Sequence, residues 1–167
     1  MPNVRSATRV AVPSLTIVLV AGAIALVRAR LRRYTIAEHS MQPALHAGDW
    51  VLARRVTYPV MRGDIVVVEH PGRPRFELVK RVVGLPGELV TIAAGEVTTN
   101  GRAVDTWATG PTLPDGTCRL GPDEVFVLGD NRAFSSGDSR ALGPVPVEDI
   151  GWAIWCRYRP FPLRRVR

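Results

Sequence analysis

A mainly β fold with one N-terminal helix is the class this sequence predicts. Three observations carry it. Short segments after residue 34 alternate apolar and polar residues at period two. No helix-length periodic segment appears in that region. Near the N-terminus, by contrast, lies a long uncharged apolar run. The chain has 167 residues, enough for one domain with a buried core plus an attached segment. The expected division is a basic-flanked anchor over 1–33, a β-rich domain over 34–158 and a basic tail over 159–167. There is no internal repeat and no low-complexity segment.

The elements follow in order. Residues 10–27 are 18 positions without a charge, rich in Val, Ala, Leu and Ile. As a helix they span about 27 Å, close to the thickness of a bilayer's hydrocarbon core. Pro13 falls in the first turn, where proline is tolerated. Arg5 and Arg9 precede the run; Arg28, Arg30, Arg32 and Arg33 follow it. The pattern predicts a single transmembrane helix. A cleaved leader is the alternative, because Ala23-Ile24-Ala25 is an A-x-A triplet, but it lies inside the run rather than after it. A buried soluble helix fits less well, since no face of the run is polar. Arginine counting puts more charge after the span than before it, which favours a cytoplasmic C-terminal domain.

Strands are predicted over 49–54, 64–69, 76–83 and 88–92. Residues 96–105 read as a hairpin turning at Asn100-Gly101. Residues 110–122, rich in proline and glycine, read as loop. Further strands are predicted over 125–128 and 152–158.

The net charge is +7, but its distribution argues against nucleic acid. Residues 1–33 hold six arginines and residues 157–167 hold five, with no acid in either segment. The remainder carries 11 basic and 15 acidic residues, a net charge of −4. Basic ends beside an apolar run suit a lipid bilayer. No recognition helix, zinc spacing or RNA-binding aromatic motif is present. Cys118 and Cys156 match no metal spacing. Cys156 lies in an apolar run and reads as a buried free thiol, with a disulfide open only outside the cytoplasm. His46 and His70 lack metal-ligand spacing, and His39, adjacent to Ser40, is expected to point away from it rather than to form a Ser–His pair. Trp152, Trp155, Tyr158 and Phe161, followed by Arg164, Arg165 and Arg167, read equally as an interfacial patch or as a core strand with a solvated tail.

The chemistry concentrates in three stretches. Lys80 is the one lysine in a chain with 21 arginines. Arginine stays protonated, whereas burial can make lysine a proton acceptor. Period two places Leu78, Lys80 and Val82 on one strand face and Glu77, Val79 and Arg81 on the other. Neutrality near pH 7 requires desolvation to lower the lysine pKa by roughly 3 units, about 4 kcal/mol. A neutral lysine beside a serine can take the hydroxyl proton; a lysine snorkelling from a half-exposed strand is the alternative. Ser40 precedes Met41-Gln42-Pro43, where proline restricts its predecessor to extended conformations. This predicts a turn with an accessible hydroxyl and a backbone N–H available to an oxyanion, against the alternative of an ordinary turn serine. The third stretch, Gly129-Asp130-Asn131-Arg132-Ala133-Phe134-Ser135-Ser136-Gly137-Asp138-Ser139-Arg140, is either a solvated loop or a hydrogen-bonded support.

Taken together, these stretches resemble the bacterial type I signal peptidases, membrane-bound Ser/Lys endopeptidases, over most of residues 35–155. Ser40-Met41-Gln42-Pro43-Ala44-Leu45 resembles the nucleophile box, and Arg62-Gly63-Asp64-Ile65-Val66 the next. Lys80-Arg81-Val82-Val83-Gly84-Leu85-Pro86-Gly87-Glu88 resembles the general-base box. Gly129-Asp130-Asn131-Arg132, then Ser and Asp138-Ser139-Arg140, resembles the last. The resemblance implies an antiparallel β fold in two parts, Ser40 as nucleophile and Lys80 as general base. The supporting set is Ser136, Ser135, Asp130, Asp138, Arg140 and Arg81. It further implies no metal or cofactor, preprotein substrates with small residues at −1 and −3, and a site at the outer membrane face, opposite to the arginine count. Two departures stand out. Glu38 occupies the position two before the nucleophile, where some members carry a hydroxyl, and is expected to point away or to hold a proton. The last box is one residue longer: counting from Gly129 selects Ser135, and counting back from Asp138 selects Ser136. The Asp138–Arg140 pair favours Ser136. Two further readings are a specialised protease of the same fold with one dedicated precursor and a catalytically silent, membrane-tethered β domain. The oligomeric state is not legible.

Overall fold

Alternation after residue 30 resolves into two antiparallel sheets in the computed structural model, which describes residues 16, 19, 20, 22, 28–104, 107–160 and 162–166. The chain divides into two units, Met1–Arg30 and Leu31–Arg167. The described residues of the first unit are helical. The span expected over 10–27 lies largely outside the described residues. Among the described residues, no helix is long and apolar enough to cross a membrane.

The second unit carries β1 (Leu31–Thr35), β2 (Trp50–Arg55), β3 (Ile65–Glu69), β4 (Glu77–Gly84), β5 (Leu89–Ala93), β6 (Glu96–Thr99) and β7 (Arg102–Ala103). β8 (Gly116–Arg119), β9 (Glu124–Leu128), β10 (Val145–Pro146), β11 (Trp152–Arg159) and β12 (Arg164–Arg165) follow. The large sheet runs β1-β2-β11-β3-β4-β9-β10, with β12 on β11; the small one runs β7-β6-β5-β8. Ile36, Met41, Leu45, Val51 and Val67 form one apolar cluster, beneath the Ser40 turn. A second gathers Val66, Leu78, Val82, Val125 and Val127. Val83, Val90, Val97, Leu120 and Phe126 join the two sheets.

β4 is the positioning element. It lies between β3 and β9, pairing Val66 with Lys80 and Leu128 with Arg81. From Lys80 onward every residue of β4 is buried, so both faces of the strand are covered there. The face that carries Arg81 is buried as well. At its end, a Cβ on Gly84 would sit 2.6 Å from Val90 Cγ2 and 2.9 Å from Phe126 Cβ. The strand can enter the joint between the sheets only without a side chain there.

The hairpin turn forms as expected, with Asn100 and Gly101 both at positive φ. Three expectations change. β1 begins at Leu31, inside the segment assigned to the anchor; its arginines are exposed on an edge strand paired with β2, so no alternation revealed it. β8 lies in the predicted 110–122 loop and pairs with β5. The basic tail folds back, pairing Arg164 with Arg157.

Candidate active site

The Ser40 turn is held from below and from the side. Met41 and Leu45 are buried in the core, and Leu45 N–H donates to the Met41 carbonyl at 2.9 Å. From the segment after β9, Asn131 N–H donates to the Ser40 carbonyl at 2.9 Å. Ser40 is thereby fixed over β4. Lys80 Nζ lies 3.1 Å from Ser40 Oγ and 3.3 Å from Ser135 Oγ. Lys80 is 2 % exposed, so its amine meets two hydroxyls rather than bulk water.

A chain of donors fixes Ser135. Its hydroxyl donates to Asp138 Oδ2 at 2.6 Å. Arg140 donates to both Asp138 oxygens at 2.9 Å, and Gly129 N–H adds a bond at 3.3 Å. Arg140 also caps the Leu113, Arg132 and Ser135 carbonyls, so one guanidinium ties the loop together. Gly129 has no alternative at this point. A Cβ there would collide with Ser135 Oγ and lie 2.7 Å from the Ser40 carbonyl.

Arg81, next to Lys80 on β4, braces the other side. It donates to the two Asp130 oxygens at 2.7 and 2.6 Å and to the Gly63 carbonyl at 2.9 Å. Both side chains are 1 % exposed, and Trp107 stacks 4.9 Å from the guanidinium. Buried charges of this kind are tolerated because each is paired and hydrogen-bonded.

Burial lowers the Lys80 pKa, and Arg140 pushes the same way; Asp138, Glu38 and Asp130 oppose them. Burial alone would raise the Asp138 carboxyl, but hydrogen bonds from Arg140, Ser135 and Gly129 hold it below its usual range. The charged partner of this loop is thus Asp138, which keeps Arg140 close, while burial shifts Lys80 toward its neutral form. An amine so placed can accept the Ser40 proton as the hydroxyl oxygen attacks.

Of the predicted residues, Ser40, Lys80, Ser135, Asp138 and Arg140 form one hydrogen-bonded chain, and Arg81 and Asp130 form a separate brace. Ser136 is corrected. It is exposed, and Ser135 takes the place beside Lys80. The extra residue is taken up between Ser135 and Asp138, so counting back from the aspartate lands on the residue that bows outward. No acid shares the strand face of Lys80, but Asp138 acts on it from the segment after β9. His39 turns to Gln42, with Nδ1 3.0 Å from Nε2. Cys118 and Cys156 are free. Trp107 and the Gly63 carbonyl were not foreseen; neither carries a periodic or motif signal, because their role depends on where Arg81 points.

Beside Ser40 opens a cleft of about 280 Å³, lined by Tyr34, Ile36, Glu38, Met41, Phe76 and Leu78 among others. Glu38 sits on this wall rather than away from it. Arg32 and Tyr34 both donate to Glu77 on the same wall, at 2.9 and 3.3 Å. Burial and the Glu77 charge push the Tyr34 hydroxyl up to about 12, so it stays protonated and donates.

An antiparallel β protein with a buried lysine against a turn serine is the class this fold and site define. Residues 8–154 match the family described as "Signal peptidase, peptidase S26", and the chain belongs to that family. It is 32 % identical over 137 residues to a probable signal peptidase I-2 of Synechocystis, covering 76 % of this chain and 62 % of that protein. It is 37 % identical over 60 residues to signal peptidase I of Aquifex aeolicus, covering 34 % of this chain and 23 % of that protein. Over 85 residues it is 32 % identical to subunit 1 of the mouse mitochondrial inner membrane protease, covering 47 % of this chain and 51 % of that one. The match thus spans less than two thirds of each of these relatives.

Proposed function

We propose that this chain is a membrane-anchored serine endopeptidase that removes signal peptides from exported preproteins. The observation that carries the reading is the buried Lys80 amine 3.1 Å from Ser40 Oγ. Ser40 Oγ attacks the scissile carbonyl while its proton passes to neutral Lys80. The oxyanion forms against the Ser40 backbone N–H. The Lys80 ammonium then gives its proton to the departing amine, leaving an acyl-enzyme and a neutral lysine. Lys80 next draws a proton from water, whose oxygen attacks the ester carbon, and returns that proton to Ser40. Ser135 keeps Lys80 aimed throughout, as a positioning residue.

The uncharged run over 10–27 is the anchor, and the domain beyond it faces the outer side, where exported chains emerge. The apolar walls of the cleft beside Ser40 suit small apolar residues at −1 and −3. Family membership supports both statements.

The test is cleavage of a panel of unrelated preproteins by the purified full chain in detergent. Ser40→Ala and Lys80→Ala are each expected to cost several orders of magnitude in kcat. Retained cleavage by Lys80→Ala would refute the assignment of the base. Broad cleavage supports a general enzyme, and a single hit supports a specialist with one precursor. Activity of the protein surviving both substitutions supports a partner-binding domain instead.

A further inference from the structure

The cleft beside Ser40 carries one carboxylate that no hydrogen bond or ion pair engages. Glu38 is exposed on the wall that also presents Ser40 and Lys80. Among the described residues it has neither a hydrogen-bond nor an ion-pair partner. The other carboxylate of the wall, Glu77, is already engaged by Arg32 at 2.9 Å. The neighbouring His39 faces Gln42. The rest of the wall is largely apolar, with Ile36, Met41, Phe76 and Leu78.

An unpaired carboxylate in this place works against the chemistry twice. Its negative charge repels an oxyanion forming at Ser40. It also favours the ammonium form of Lys80, in company with Asp138 and Asp130 and against Arg140. A cationic side chain seated beside Glu38 would offset both effects and would form a solvent-exposed ion pair of modest strength with it.

We propose that Glu38 is a specificity-determining residue that makes this cleft favour peptides with a cationic side chain next to the scissile bond. The inference rests on the peptidase reading above and narrows its substrate class.

The experiment uses the full chain in detergent micelles and matched peptides with alanine at −1 and −3. Each peptide carries Arg, Gln or Glu at −2, +1 or +2. In at least one position the Arg peptide is expected to show a kcat/KM about fivefold above its Gln counterpart, the size of a modest charge pair. The preference should shrink as salt rises. Glu38→Gln should abolish it, and Glu38→Lys should turn it toward the Glu peptide. In Glu38→Gln the acid limb of the pH profile should also move to lower pH, because the neutral form of Lys80 is no longer opposed. Cleavage without an Arg preference, or a preference that survives Glu38→Gln, overturns the inference alone. If no peptide is cleaved above the Ser40→Ala background, the peptidase reading falls with it.

Discussion

At the scale of single residues, the proposed site turns on a lysine whose pKa burial lowers. That has a cost in stability whose sign follows from its pKa. Burial lowers the pKa of Lys80 in the fold, so between that value and the ordinary lysine value the unfolded chain binds a proton that the native state excludes. Native stability therefore rises with pH through this window and falls as the pH drops through the folded pKa. Lys80→Met removes the penalty along with the base. The variant is expected to be inactive yet about 1 kcal/mol more stable at neutral pH, with the gap closing toward pH 10 in urea titrations. Ser135 is the next residue outward. Ser135→Ala leaves Lys80 without its second hydroxyl and should lower kcat at least tenfold, with a smaller change in KM, whereas Ser136→Ala should stay within about twofold of the parent. Lys80 was legible because it stands alone among arginines on an apolar strand face. The choice between Ser135 and Ser136 was not, because spacing along a chain says nothing about which residue bows out of a loop.

At the scale of elements, β4 does most of the positioning. Consecutive residues on one strand point to opposite faces. Here that rule puts Lys80 toward Ser40 and Arg81 toward Asp130, so one strand organises both the site and its brace. Its end is pinned by the joint between the sheets, where a side chain on Gly84 would run into Val90, Leu120 and Phe126. Gly84→Ala forces a methyl group into that joint and is expected to cost about 1–3 kcal/mol, read as a lower urea midpoint with an unchanged m-value. The strands with period-two alternation were visible in the sequence. β1, β8 and β12 were not. They are short edge strands with few residues facing the core, and pairing with a neighbour made them.

At the scale of the whole molecule, the sequence motifs order the polypeptide more clearly than its charges do. Three stretches separated by about 40–50 residues meet because β4 and β9 pair in the large sheet and Asn131 reaches back to Ser40. The first is a turn and the last a connection with short helical turns at Arg132–Phe134 and Ser139–Leu142, segments of the kind that carry chemistry on a rigid scaffold. The arginine-rich ends remain open to two readings by composition, since a positive flank attracts a lipid surface on either side of a membrane. The cleft's distinguishing group, Glu38, was visible as a departure from a motif, but its place on the wall required the fold. All of this converges on the protonation state of one amine. Because Lys80 is the single lysine of the chain, labelling lysine with 15N places one side-chain resonance in its spectrum. Titrating that resonance beside kcat/KM tests the central claim directly. The expected result is a midpoint well below the ordinary lysine value, coincident with the acid limb of the activity profile and lost from that profile in no active variant. A midpoint near 10.5, the unperturbed value, with activity already full at neutral pH, would contradict a lysine base.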